Sequence, residues 1–470
     1  MRQLSTDIVP PNRRRLVVVT DNAYLLCLLA WVLVGLAAAL KSRDPASHGV
    51  GLTLTFVLNM AMNHWFGAVV CLLPWYLPSG ADFVAIGFEL STLGIIGFAV
   101  GCFAVAPFVM PDHDDGADEP VNIWPWRPRV LRMYALVGIG SYVAMALGAG
   151  RVPSLTAVLS AGFNFVLVAL CLAMWYAQLR GEHTRQHLLL AAAFTLPFFT
   201  MVTQGFLGYG IGYLILVFSF YLLLSRHRMK LLLAALPLAF LGLSFYVTYM
   251  RDRNEIRETV WGGQAYESRV GAIWRMCTTI EIFDPFDTKH LGRIDGRLNQ
   301  NRLVGTAVMH LQNTHGYARG ETIWMALLAI IPRAIWADKP EYAGSMHLVS
   351  RYTGITFAEG TSIGMGPIFE LEINFGRVGV FLGMLLLGVI IGLADRKAGA
   401  ALRFDDPLTF GKWFLIGIIM QNAIGSFAET TASLAAALIL ASLVNHYLRS
   451  RPGPDLPAAM DEPRANSWNP

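Results

Sequence analysis

The residues able to do chemistry gather in one late stretch, between Met250 and Phe375. Arg251-Asp252-Arg253 follows an apolar run directly. Arg319-Gly320-Glu321 precedes a short apolar patch, Ile323 to Ile331, which Pro332-Arg333 closes and Asp338-Lys339-Pro340 follows. Arginine forks grip phosphate oxygens bidentately, and lysine acts as a point charge. Arg251, Arg253, Arg319, Arg333 and Lys339 would therefore set fixed cations around a non-spanning apolar element. Such a pocket suits an amphiphile with an anionic head and a lipid tail. Plain anchoring to anionic lipid is the alternative for any single cation. Acids are interleaved throughout, Glu255, Glu267, Glu281, Asp287 and Asp295 among them, so most of these charges read as a salt-bridged extramembrane surface.

A second constellation follows at Glu370-Leu371-Glu372-Ile373-Asn374-Phe375-Gly376. Glu370, Asn374 and Arg377 lie three or four residues apart, so one helical face would carry all three. The stretch runs into an apolar segment without a polar linker, and a carboxylate at that depth is costly unless functional or paired. Glu370 is thus expected to act as a base or to orient an arginine, with a simple Glu370–Arg377 pair as the alternative. Glu321, Asn374 and Glu429 are supporting candidates, Glu429 standing in the turn Ser426-Phe427-Ala428-Glu429-Thr430. His183 and His187 have a zinc-compatible spacing but no evident third ligand, and His290, His310, His315 and His347 are scattered. No metal or other cofactor is expected, and no glycine-rich phosphate loop or nucleic-acid-binding stripe occurs.

These residues need elements to position them, and the rest of the chain supplies apolar ones. Of 470 residues 55% are hydrophobic and only 14% charged, with a mean hydropathy of +0.49. A soluble chain of this length could not bury that much apolar surface. Long unbroken runs point to spanning helices rather than a barrel. Runs at 22–40, 51–76, 84–109, 130–149, 160–178, 188–203, 207–224, 231–249, 376–394, 409–428 and 431–448 predict an all-α polytopic bundle of about eleven spans. Eight fall in 22–249 and three in 376–448, leaving residues 250–375 as one large region with a re-entrant or interfacial helix near 323–331. Basic residues in short loops (Lys41 and Arg43; Arg180 and Arg185; Arg226, Arg228 and Lys230; Arg396, Lys397 and Arg403) place those loops in the cytoplasm and residues 250–375 outside. Arg13 to Arg15 in the tail 1–21 run against that count. The first run is longer than a signal-peptide core and reads as an anchor. The tail 449–470 is proline-rich and predicted to be disordered in the cytoplasm. The five cysteines suggest no disulfide framework. No internal repeat is visible, which argues against a two-fold transporter.

The stretch from Arg319 to Gly379 resembles the O-antigen polymerase family. It reads Arg-Gly-Glu-Thr, an apolar patch ending Ile-Pro-Arg-Ala-Ile-Trp, then Asp-Lys-Pro, a glycine-rich stretch and Glu-x-x-x-Asn-Phe-Gly-x-x-Gly. Span number and a large late outer region are similar along nearly the whole chain. Family members often carry arginine near the outer start of the helix that here opens Gly208-Tyr209-Gly210. The resemblance implies a GT-C-like fold in a bacterial inner (cytoplasmic) membrane. It implies a glycosyltransferase that polymerises undecaprenyl-diphosphate-linked oligosaccharide repeat units into a surface polysaccharide or exopolysaccharide on the periplasmic side. Glu370 and Arg333 would be catalytic, and Arg251, Arg253, Arg319 and Lys339 would hold the diphosphate. Partners would be the lipid-linked substrate, membrane lipid, a chain-length regulator and a flippase. Ligase-type transfer to a lipid A core, or a role as an export subunit, are the alternatives.

Overall fold

The computed structural model describes residues 21–41, 49–110, 127–147, 153–225, 228–331, 335–336, 338, 344–358, 361 and 363–450. Among them are eighteen α-helices and no strand. They are α1 (Asp21–Lys41), α2 (Leu52–Val70), α3 (Ala81–Val100), α4 (Ala106–Val109), α5 (Arg127–Ala146), α6 (Pro153–Leu179), α7 (His183–Ala193), α8 (Leu196–Gln204), α9 (Leu207–Leu224) and α10 (Arg228–Trp261). Then come α11 (Tyr266–Thr278), α12 (Thr288–Asp295), α13 (Asn301–Thr314), α14 (Glu321–Ala329), α15 (Ser345–Thr353), α16 (Gly366–Arg403), α17 (Pro407–Met420) and α18 (Phe427–Ser450). A π-helical turn, Gly101–Val105, joins α3 to α4. The expected site residues Arg333 and Lys339, and nearly all of both tails, lie outside the described residues.

Among the described residues, eight helical stretches are long and apolar enough to cross a membrane: Asn22–Leu40, Ala81–Val109, Val158–Leu179, His183–Gln204, Leu207–Leu224, Lys230–Trp261, Gly366–Arg403 and Phe427–Ser450. Their outer faces are apolar too. Leu25, Leu29 and Leu33 on α1 and Leu233, Leu236 and Leu241 on α10 are all exposed, as are Leu136 and Ile139 on α5, which is not among the eight. Contiguous apolar surface of this extent belongs against lipid. The chain is a multi-pass membrane protein.

Where helices approach closely, small residues allow it, as membrane packing requires. A Cβ at Gly97 or Gly101 of the α3 stretch would strike the α16 backbone at Phe381 or Leu385, and one at Gly388 of α16 would strike Phe98. Stacked rings fill the wider gaps, Phe56 on Phe98 at 4.3 Å and Phe410 on Phe414 at 4.8 Å.

The two ends of the bundle differ. At the plain end Asp395 of α16 accepts hydrogen bonds from the Val50 and Leu52 amides, at 2.7 and 3.0 Å. A buried carboxylate thus satisfies the open amides and positive dipole end of α2. The other, elaborated end gathers α11 to α15 with the start of α16 and the turns joining α8 to α9 and α17 to α18.

Two boundaries differ from the sequence reading. Helix α10 does not stop near 249 but runs on to Trp261, so Arg251 and Arg253 ride on a helix rather than a loop. Helix α16 starts at Gly366, ahead of the expected 376, and Gly376 interrupts it with φ 65° and ψ −162°. Only glycine occupies that backbone region readily. The described residues of 250–375 therefore form a largely helical cap, and its short apolar helix is α14.

Candidate functional site

Arg251 sits on the last turns of α10, but its fork is already used. Its Nε and Nη2 grip Asp252 at 2.7 Å, and its Nη1 reaches Glu281 at 2.9 Å and the Thr279 carbonyl at 3.0 Å. Glu281 also accepts from Arg293 at 2.5 Å and lies 3.3 Å from His290. Burial alone would push the Glu281 carboxyl up, yet the hydrogen bonds and charges of Arg293 and Arg251 outweigh it and hold it at about 2. This network ties the end of α10 to α12. The expected diphosphate role of Arg251 would require breaking it, so the structure makes Arg251 a brace. Arg253 is half-buried on the same turn.

Arg257, one further turn along α10, is different. Its guanidinium lies 4.4 Å from the Phe206 ring centroid and 4.8 Å from that of Trp261. The turn between α8 and α9 makes this sandwich possible. Gly205 closes α8 with φ 75°, Tyr249 donates to its carbonyl at 2.8 Å, and Trp261 donates to the Gln204 carbonyl at 3.1 Å. A Cβ at Gly205 would lie 3.4 Å from Arg257 Cγ and 3.5 Å from Trp261 Nε1. Phe206 is thereby presented to the arginine.

Arg297, exposed on the loop after α12, stands close enough for its charge to act against that of Arg257. Neither arginine forms an ion pair with a carboxylate among the described residues. Next comes the Tyr209 hydroxyl, on which the charges of both Arg257 and Glu429 act. Arginines without a carboxylate partner keep their forks open to an anion with several oxygens.

Glu429 comes last. It occupies the first turn of α18, where Ser426 Oγ accepts from the Glu429 amide at 3.2 Å and the Glu429 carboxylate accepts from the Ser426 amide at 3.4 Å. This reciprocal cap fixes the backbone while the side chain stays exposed.

Glu370 is fully buried. Its Oε2 accepts from the Phe427 amide at 2.7 Å, capping α18 from α16. Its Oε1 has no hydrogen-bond partner among the described residues. Asn374 fastens α14: its Oδ1 accepts from the Gly320 amide at 2.9 Å, and its Nδ2 donates to Thr322 Oγ1 and the Glu370 carbonyl, both at 2.7 Å.

The expected shared face of Glu370, Asn374 and Arg377 holds only for the first two. The break at Gly376 redirects Arg377 to Glu89 of α3, at 3.0 Å, so the expected alternative pair of Glu370 with Arg377 does not form. Glu321 pairs loosely with Arg351, at 3.4 Å, and both are exposed. Arg319 is exposed, with φ 50°, where the chain turns into α14. Among the described residues no group of three potential metal ligands occurs.

Reasoning from sequence passed over Arg257, Arg297 and Tyr209 as site residues. The two arginines lie in a segment where opposite charges nearly cancel, and only the folded chain shows which lack acids. A local signal existed at Arg257, four residues before Trp261 and so on one helical face with it. Glu372, buried and with no hydrogen-bond partner for its Oε2 among the described residues, was also passed over.

No curated protein and no solved structure matches the chain. A family model described as a domain of unknown function, DUF8712, matches residues 129–424. That stretch holds Tyr209, Arg257, Arg297, Glu370 and Asn374 and ends shortly before Glu429. It spans more than half of the chain, which therefore belongs to the DUF8712 family.

Proposed function

We propose that this chain is a membrane-embedded glycosyltransferase that joins lipid-diphosphate-linked oligosaccharide repeat units into a longer polysaccharide. The observation that carries the reading is Arg257, held between Phe206 and Trp261 at the elaborated end and without a carboxylate partner among the described residues, with Arg297 near enough for its charge to act on it. Departure of a diphosphate develops negative charge, and preorganised arginines stabilise it more in the transition state than before it. The acceptor hydroxyl oxygen forms a bond to the anomeric carbon as the bond from that carbon to the phosphate oxygen breaks. The bonding pair leaves with the lipid diphosphate, and the hydroxyl proton passes to a carboxylate. Glu429 is the carboxylate we assign, because it is exposed and adjoins Tyr209. Glu370, enclosed and committed to the Phe427 amide, holds the α17–α18 turn in place.

The eleven-span, GT-C-like architecture belongs to the same proposal. Asp395 holds the start of α2 at the plain end, while Asn301 of α13 holds His64 of α2 at the elaborated one. Tyr134 of α5 bonds Asn445 near the end of α18, and Tyr142 reaches α11. Helices α16 and α18 both begin at the elaborated end, so α17 must return across. These contacts support crossings by α2, α5 and α17. In a bacterial inner membrane the elaborated end would face the periplasm, where a flippase delivers substrate and a chain-length regulator acts.

Surface polysaccharide from a deletion strain tests the reading on a gel. Single repeat units on the acceptor are expected. Complete loss of attached glycan would mean a ligase instead, and an unchanged ladder would overturn both.

A further inference from the structure

Helix α11 is apolar on more of its surface than the protein covers. With successive residues about 100° apart, its side chains fall into three sectors. Ala272, Ile273 and Met276 form one, buried against the bundle. Tyr266, Val270 and Trp274 form the next, apolar and exposed, at 48%, 53% and 68%. Glu267, Ser268, Arg275 and Thr278 make up the third, and there Arg275 pairs with Glu255 at 2.7 Å.

We infer that the Tyr266–Val270–Trp274 face lies in the headgroup and upper acyl layer of the membrane, so that α11 is an interfacial helix rather than part of a water-exposed loop. Three sectors are what an element at the boundary needs: one side on protein, one in lipid and one in water. Tyrosine and tryptophan favour this depth because their rings are apolar and their polar tips reach water.

Charge placement agrees. Arg269 folds over the Tyr266 ring, 4.8 Å from its centroid, while its Nε donates to the Gln264 carbonyl at 2.8 Å, so in the inferred placement its remaining donors would meet lipid phosphates. The exposed sector also continues a lipid-facing surface. Tyr142 of α5 lies near enough to Tyr266 for the two hydroxyls to act on each other, and beside it Ile139 and Val143 expose apolar side chains on a candidate crossing helix.

The inference stands apart from the proposed activity and is tested without it. The full chain, with its five cysteines replaced by alanine, receives single cysteines at Glu267, Ser268, Val270 or Trp274. Each carries a nitroxide label in nanodiscs of phosphatidylcholine and phosphatidylglycerol. Labels at Val270 and Trp274 should be accessible to oxygen and shielded from a water-soluble nickel chelate, with the reverse at Glu267 and Ser268. Equal nickel access at all four would place the helix in water and overturn the inference. Shielding of Val270 and Trp274 from both reagents would mean that protein covers them, and would overturn it equally. As a check needing no cysteine changes, Trp274→Phe should lower the share of tryptophan emission quenched by lipids brominated near the headgroup. An unchanged share would count against lipid contact.

Discussion

Arg257 offers the sharpest test of the anion seat. Arg257→Ala removes one fork from the leaving diphosphate. A hydrogen bond to a charged group is worth about 1.5–3 kcal/mol; the rings 4.4 and 4.8 Å from this guanidinium hold it in place equally before and in the transition state and so add nothing to the rate directly. A loss of about 1.5–3 kcal/mol corresponds to a rate lower by roughly 10- to 150-fold, at about 1.4 kcal/mol per tenfold. Arg257→Lys keeps the charge but loses the planar fork, and should recover only part of the rate. The assay is polymer formed per unit of folded protein in nanodiscs, with a lipid-diphosphate-linked repeat unit as substrate. Arg251→Ala is the reference. Its fork already serves Asp252, Thr279 and Glu281, so it should lower the yield of folded protein and leave specific activity near native. Native specific activity in Arg257→Ala would refute the reasoning. So would an equal loss in Arg251→Ala, because ion-paired and carboxylate-free arginines would then be indistinguishable.

Glu281→Gln should destabilise the α10–α12 junction by about 1–2 kcal/mol at neutral pH, the full shift of its carboxyl being discounted for partial exposure. That carboxyl is depressed from 4.5 to about 2. Its contribution is therefore complete above about 4.5 and lost as pH falls towards 2, so variant and native protein should converge in α12 hydrogen-exchange protection over that window. A difference that persists unchanged at the acid end would exclude Glu281 as its source. Glu370→Gln can still accept from the Phe427 amide through its side-chain carbonyl, and should keep full specific activity; intact protein without activity would return Glu370 to the chemistry. Gly376→Ala forces a β-carbon into φ 65°, ψ −162° and should cost about 1–3 kcal/mol, read as a lower melting temperature. An unchanged melting temperature would show that the break can relax.

The helical class and the apolar runs were legible because lipid imposes them: a segment must be long, apolar and internally hydrogen-bonded. The cap of helices over 250–375 was legible only as a charged region, since short amphipathic helices leave a weak signal among mixed charges. Asn374 and Glu370 stood out because polar groups beside a span are costly. Their partners, the Gly320 and Phe427 amides, come from segments about fifty residues away in sequence and no spacing rule connects them. Arg377 was misassigned to the Glu370 face because a glycine inside an apparent helix gives no sign of reversing the face beyond it. Arg257 and Arg297 were hidden by charge balance, a sum that says nothing about which arginines meet acids.

The break at Gly376 also bears on how the protein is made. The residues beyond it, from Val378 to Ala394, are apolar enough to insert as they are synthesised, whereas Glu370, Glu372 and Asn374 just before it are not. Glu370 finds its amide donor on Phe427, at the head of the last helix, which is synthesised more than fifty residues later. The portion of α16 before Gly376 can therefore settle only after the C-terminal helix has entered the bilayer. A chain cut short within α17 would leave a buried carboxylate without its partner, and quality-control proteases could recognise it as unfinished.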